Sequence, residues 1–469
     1  MSRLQSFEND YKTALSATRR IPPEITMKIL CCSSKDFRFD VFRIREGPWY
    51  LGQVCSSWRQ VIETLCPELW ASIIVRVSFS YMPPKGKLVE RLRVVLERSC
   101  NHPLDFHFRF CGTEVEESDF EEMERCFDVM IAHSNRWRVA DMMITPSLIE
   151  RLPRIRGKID WLRVMYLSCG YEPGPGDIHA FEIAPKLEDL YLRGMHGETN
   201  IHFPASNLVS LSDARSFGGD RLTPEYLHIV KSSPKLRSIS YNDHGFQSPN
   251  INSVFHPPVM SPSVEELSAS SPSFMRSLVL PSLKNVRLTT AAYDGDLTEE
   301  TMSCPVDALG ALHELLLRSR CSLSRLSLVD VVLDNNLVNI IRLMPALQDF
   351  IVQFTEWVDD YDPIMQSLVT QLSETSMVDG SLQHSMVPSL KSIDVYMLRV
   401  RYNHLSFIDS TFVDMVASRL RLPSGAPRLM KLNLHISGRG GSSDFDEEAK
   451  NALMSLKDEG LQLNYFVCG

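Results

Sequence analysis

The thirteen histidines and eleven cysteines are the first candidates for chemistry, since imidazole and thiolate are common metal ligands and nucleophiles. A zinc site wants ligand pairs a few residues apart. No C-x-x-C pair occurs, and His102 and His107 have no cysteine or second pair to complete a set. The remaining histidines show no ligand spacing. A nucleophilic Cys55 would need an activating neighbour. Its setting among Leu51, Val54, Trp58, Val61 and Ile62 is that of a packing residue. The patterns H-E-x-x-H, G-x-S-x-G and G-x-x-x-x-G-K-[ST] are absent from the sequence. SGRGGSSDFDEE, from Ser437, is glycine-rich but lacks a phosphate-binding lysine. It reads as a loop in which Ser442 or Ser443 caps a helix with an acidic first turn. EPGPGD, from Glu172, reads as a turn. Glu114, Glu116, Glu117, Asp119, Glu121 and Glu122 could attract a metal or a basic partner, but their spacing suits a solvated helix face. The residues therefore predict no catalytic site, no cofactor and no bound metal.

The elements that would carry a function must be inferred from patterning. At 469 residues the chain exceeds the roughly 250–300 residues at which single cores stop growing. Several domains or a repeat array follow, because an array lengthens without thickening its core. A net charge of −9 argues against nucleic acid as the main partner, since phosphate binding wants clustered Lys and Arg. The cysteine number is odd, and adjacent Cys31 and Cys32 suit no ordinary disulfide, so reduced thiols and a cytoplasmic or nuclear setting are expected. The N-terminus shows no apolar signal-peptide core. No apolar run approaches the roughly 20 residues needed to span a bilayer, so no membrane partner is expected.

Residues 1–19 carry Leu4, Phe7, Tyr11 and Leu15 at steps of three and four, which fits either a weakly amphipathic helix or a partly ordered tail. Residues 20–75 read as a helical module. Pro22 and Pro23 suit a helix start, with Glu24 in the first turn. Ile25, Ile29 and Leu30 follow at helical spacing. Leu51, Val54, Cys55, Trp58, Val61 and Ile62 form a second apolar set, read as one helix face, before Pro67, Leu69 and Trp70 close the module. From Ala71, strand-like and helix-like stretches alternate: ASIIVRVSF, KLVERLRVVLERS, PLDFHFRF, ESDFEEMERCFDVMIAH and NRWRVADMMI. This is the rhythm of an α/β fold.

Across residues 76–469 a short motif, ideally P-x-L-x-x-L-x-L, recurs. It begins at Pro185, Pro234, Pro262, Pro281, Cys321, Pro345, Pro388 and Pro427, with weaker copies around Leu162 and Leu208. L-x-x-L-x-L is the strand signature of leucine-rich repeats. The last two apolar positions share a strand face, the first packs from the entering turn, and the proline ends the preceding helix. With the weaker copies counted, neighbours lie 19 residues apart at the closest (Pro262 to Pro281) and 43 at the widest (Pro345 to Pro388), against about 20–29 in regular arrays. The wide gaps imply long helices or inserted loops. LTPEYLHIVKSS, with Thr223 as expected N-cap, DALGALHELLLRSRC and NNLVNIIRLM read as connecting helices.

The segment IPPEI…IL…L-x-x-VC-x-x-W-R-x-x-I…P-x-LW resembles the F-box, and the downstream motifs resemble the F-box proteins with degenerate leucine-rich repeats of mushroom-forming fungi. The resemblance covers nearly the whole chain. It departs in the longer, charged connector from Ser33 to Pro48. It implies an α/β architecture: a small N-terminal all-α F-box followed by an irregular leucine-rich-repeat solenoid of alternating strands and helices. It also implies a function, that of a substrate adaptor of an SCF-type ubiquitin ligase. The F-box would dock a Skp-type adaptor through Ile21, Pro22, Pro23, Glu24, Ile25, Ile29, Leu30, Leu51, Val54, Cys55, Trp58 and Arg59. The repeats would hold a protein substrate, and other subunits would transfer ubiquitin. The alternative is a repeat scaffold outside any ligase, with a vestigial F-box.

Overall fold

The computed structural model describes residues 21–33, 38–78, 87–111, 117–169, 176–196, 199–216, 222–241, 256–290, 303–378, 381–400, 407–422, 427–438 and 447–468. The 1–19 segment, the Ser442 or Ser443 cap, most of the EPGPGD turn, Glu114 and Glu116 lie outside the described residues. The architecture is mixed α/β, with thirteen helices among the described residues and a long succession of parallel strands. No helix among them is long and apolar enough to cross a membrane. The chain divides into two compact units: Met1–Met195 with Thr199–Pro204, and His196–Glu198 with Ala205–Gly469. The boundary drawn from sequence after residue 75 falls inside a strand, Ser72–Ser78, that is paired on both sides. The helical module and the first strands therefore share one unit.

In the first unit, α1 (Pro23–Ser33) precedes a parallel sheet, and α2 (Gly47–Leu51) and α3 (Ser56–Leu65) lie between its first two strands. Its strands pair in chain order: β1 (Phe39–Asp40), β2 (Ser72–Ser78), β3 (Leu104–Cys111), β4 (Trp137–Ile144), β5 (Val164–Cys169) and β6 (Asp189–His196). Parallel neighbours need long crossovers, which α4 (Lys87–Arg98) and α5 (Glu117–Ala132) supply between β2, β3 and β4. α4 buries Leu88, Leu92, Val95 and Leu96, which recur at steps of three and four along one face. β3 buries Leu104, Phe106 and Phe108 and turns His107 and Arg109 to the other side, as period-two geometry requires. α6 (Pro146–Ile149) is a single turn.

In the second unit the strands β7 (Ser210–Ser216), β8 (Ser238–Tyr241), β9 (Glu266–Ala269), β10 (Asn285–Leu288), β11 (Arg325–Val329), β12 (Asp349–Phe354), β13 (Ser392–Val400), β14 (Lys431–Gly438) and β15 (Gln462–Cys468) pair in order and in parallel. Each motif copy starts its strand at its fifth residue: Pro234 leads to Ser238, Pro281 to Asn285 and Pro427 to Lys431. The sixth positions lie opposite one another, from Leu211 through Ile239, Leu267, Val286, Leu326, Phe350 and Ile393 to Leu432 and Leu463. The third positions, among them Leu236, Val264, Leu283, Leu323, Leu390 and Leu429, are fully buried beneath the entering turn. The helices are α7 (Thr223–Ser232), α8 (Pro272–Arg276), α9 (Ala308–Ser319), α10 (Asn336–Arg342), α11 (Asp362–Ser373), α12 (Ser410–Leu420) and α13 (Glu447–Ser455). Thr223 is not the N-cap expected of it. Leu222 stands there in helical conformation, and Thr223 is buried with no partner for its hydroxyl.

Helix C-termini present carbonyls without intrahelical partners, and three arginines meet them. Arg136 donates to the carbonyls of Leu96 and Ser99 at the end of α4. Arg318, on α9, donates to the carbonyls of Met275 and Leu278 around the end of α8. Arg419, on α12 and almost wholly buried, donates to the carbonyls of Leu372, Met386 and Val387 at 2.7–3.1 Å. Burial lowers its guanidinium to about 10, so the charge persists at neutral pH. Truncating it strands buried carbonyls, each worth about 1–3 kcal/mol. Arg419→Met should therefore cost on the order of 3 kcal/mol in urea denaturation at pH 7. Next to it, His384 is also buried, and burial and the Arg419 charge push its imidazole below the ordinary value of 6.5. Above that value both folded and unfolded His384 are neutral. Below it the unfolded chain takes up a proton that the fold refuses, so stability falls as pH falls. This single group contributes a loss of up to about 1.4 kcal/mol per pH unit. Comparing denaturation midpoints at pH 7.5 and 5.5 should show a smaller acid loss in His384→Gln than in the native chain.

Candidate docking site

α1 is set by the proline pair: the amides of Ile25 and Thr26 both donate to the Pro22 carbonyl at 3.0 Å. Its inward stripe is Thr26 and Leu30, four apart and buried, and α1 packs on α3. The stripe one residue earlier, Ile25 and Ile29, points outward, 46% and 48% exposed. The core beneath is Val61, Ile62, Cys66, Leu69 and Trp70. Trp70 packs edge-on against Trp49 at 4.9 Å and Phe39 at 6.0 Å, and its ring N–H donates to the Ile62 carbonyl at 3.0 Å. Gly47 has φ +54°, and a Cβ there would fall 2.5 Å from the Phe39 Cβ, so the start of α2 has room only for glycine.

The second apolar set does not lie on one helix. α2 ends at Leu51, a turn carries Gly52 to Val54, and Cys55 sits in extended conformation as N-cap of α3, its sulfur accepting from the Trp58 amide at 3.4 Å. The turn leaves Val54 57% exposed. Of the twelve positions expected to dock a partner, Pro22, Pro23, Glu24, Ile25, Ile29, Val54 and Arg59 are exposed, and Ile21, Leu51, Cys55 and Trp58 are half-buried. Leu30 is 1% exposed and belongs to the module's core, not to its face. Arg59 is partly committed inside the module, where its Nε donates to the Gly52 carbonyl at 3.0 Å. Ile44, Tyr50 and Leu65, outside the expected set, add exposed apolar surface to the same module. Ile44 lies in the charged connector, where its neighbours mask the signal.

A 550 Å³ cavity in the first unit is lined by Cys31, Phe39, Tyr50, Leu51, Glu68 and Leu69, among others. The Cys31 thiol donates to Glu68 Oε1 at 2.8 Å. Burial, then that hydrogen bond, push its pKa far above the ordinary range, and burial likewise raises Cys66. These sulfurs stay protonated, which is the opposite of what a nucleophile needs.

A second surface is the polar side of β12 to β15. The ladder registers bring Asp394, Asn433 and Asn464 into one row. Asn464 donates to Asn433, and Asn433 to Asp394. The next row holds Tyr396, His435 and Phe466, with the last two rings stacked at 4.6 Å. A 460 Å³ hollow opens there, lined by Asn433, Asn464, Tyr396, His435 and Phe466 with Met454 and Lys457. Burial raises the Tyr396 hydroxyl above its ordinary value, which keeps it a donor. Nearby, Arg325, Lys391, Lys431, Asp349 and Asp394 line a 360 Å³ hollow. Amide rows, ring faces and charges of both signs can hold a polypeptide.

His179 and His202 stand 23 residues apart, a separation no local ligand spacing covers. The structure brings them together with Asp177, their ligand atoms all within 4.8 Å of one another. The signal was present as a pair of like tripeptides, Asp177-Ile178-His179 and Asn200-Ile201-His202. No protein-family model matches the chain, and no curated protein matches it.

The outward and inward stripes of α1 separate cleanly by substitution. Ile25→Asp, exposed and in a first turn that tolerates negative charge, should change stability by no more than about 0.5 kcal/mol. Leu30→Ala should cost about 2–5 kcal/mol. Chemical denaturation of the two variants beside the native chain checks both.

Proposed function

We propose that this protein is a substrate adaptor of an SCF-type ubiquitin ligase. The observation that supports it most is the outward apolar stripe of Ile25 and Ile29, with Val54, on a helical module whose own core is already filled by Leu30, Val61, Ile62 and Trp70. Ile25 and Ile29 stand one helical turn apart and form a continuous outward apolar strip, the kind of surface that interaction sites present. Their positions are those that the resemblance to the F-box assigns to the Skp-type adaptor. The parallel strands downstream read as the leucine-rich-repeat portion, and the rows around Tyr396, Asn433 and His435 as the surface that takes a protein substrate.

Such a protein needs no reacting groups. One surface holds the ligase and another the target, which raises the effective concentration of target lysines near the transferring subunit. Ubiquitin transfer belongs to the other subunits.

The test is a pull-down of the purified chain with a Skp-type adaptor from the same organism, with Pro22→Ala/Ile25→Asp alongside and circular dichroism to verify its fold. The native chain should retain the adaptor, and the variant should lose it. A native chain that fails to bind, where a known F-box binds, leaves the alternative of a repeat scaffold with a vestigial docking module.

A further inference from the structure

Away from the docking face, the first unit carries a small ladder: Asp177–Ile178 pairs in parallel with Asn200–Ile201. The Asn200 amide donates to the Gly176 carbonyl at 2.7 Å, and the His202 amide to the Ile178 carbonyl at 3.0 Å. Ile178 and Ile201 are buried. With period-two alternation, that burial turns the flanking residues of both strands outward together. Asp177, His179, Asn200 and His202 thus share one side.

On that side the two imidazoles lie face to face, centroids 4.2 Å apart and planes 7° from parallel. Asn200 donates to Asp177 Oδ1 at 2.9 Å and fixes the carboxylate, and His202 Nε2 stands 3.7 Å from that same oxygen. The Nδ1 of His179 faces Glu182 Oε2 at 3.7 Å, and Arg156 holds that carboxylate at 2.6 Å. A metal-binding histidine wants a carboxylate opposite its second nitrogen, and Glu182 stands there. We propose that Asp177, His179 and His202 bind a zinc-class divalent cation, with Asn200 and Glu182 as positioning residues.

The donor chemistry selects the cation. Two imidazoles and one carboxylate suit borderline-soft zinc, whereas calcium and magnesium take oxygen sets. An imidazole binds through a lone pair in its own ring plane, so the two stacked rings must swing out of parallel to meet one ion, and bonds of about 2.0–2.2 Å then draw the 4.8 Å set together. The three side chains are 45–55% exposed, which fits a clasp on the surface better than a reaction chamber. The clasp would join segments 23 residues apart in sequence that are otherwise held by a ladder of two residue pairs. A cross-link that closes such a loop in the folded chain stabilises it by mass action.

The experiment titrates the metal-free full-length chain with Zn²⁺ by calorimetry and with Co²⁺ by absorption, beside H179A/H202A and N200A. Cys32 and Cys100 are exposed thiols, and their Co²⁺ adducts show intense near-ultraviolet charge-transfer bands that nitrogen and oxygen donors lack. One Zn²⁺ equivalent is expected, with a Co²⁺ spectrum free of those bands. It should be lost in H179A/H202A and weakened about 10–100-fold in N200A. Thermal melting should rise with Zn²⁺ in the native chain only. Circular dichroism verifies the double variant, and H202Q alone replaces it if it misfolds. Absence of Zn²⁺ uptake by the native chain, equal uptake by the histidine variants, or a thiolate spectrum alone overturns the proposal. None of these outcomes bears on adaptor docking, which the pull-down reads separately.

Discussion

Strand register governs this molecule. A parallel strand that slips by one residue moves every buried side chain to the opposite face. The second unit repeats one alignment from β7 to β15, with Leu211, Ile239, Val286, Phe350 and Leu432 in a single row. Everything on the open side follows from that row. Asn433 meets Asp394 and Asn464, and His435 meets Phe466, because the leucines behind them are pinned. The leading motif residue sets the phase: it ends what precedes, the third residue drops into the core, and pairing starts at the fifth.

This dependence explains what was legible in the sequence. The strands could be read because their determinants are local, three apolar positions within eight residues. α4 and α5 could be read because their apolar faces run over several turns. Elements whose determinants are distant could not. β1 is two residues long and exists because Phe39 packs on Trp70 and Asp40 pairs with Ile74. The Leu51–Ile62 set kept helical spacing across a turn at Gly52–Val54, so periodicity alone merged two helices. On α1 the apolar spacing was visible, but which residues faced in was not. Ile29 and Leu30 are adjacent and chemically alike, and only the packing of α3 separates them. The Asp177, His179 and His202 cluster needed a pairing between segments 23 residues apart, which no local rule supplies.

Between strands the chain length varies widely, yet the helices stay attached in a consistent way. Three arginines give one reason. Arg136, Arg318 and Arg419 each reach the carbonyl end of an earlier helix, across 40, 43 and 47 residues to Leu96, Met275 and Leu372. A guanidinium offers five donors on a long stem, so it tolerates differences in helix length and offset that close apolar packing would not. The strand side is held by a strict row, and the helix side by adaptable polar links.

The outward isoleucines of α1 carry a consequence for the protein's life in a cell. An uncovered apolar stripe is what chaperones and degradation machinery recognise, and it promotes self-association at high concentration. On the proposed reading, Ile25, Ile29 and Val54 are displayed by the folded chain on its own and would be covered by the adaptor. Its abundance would then follow the supply of whatever covers that stripe more closely than its own rate of synthesis.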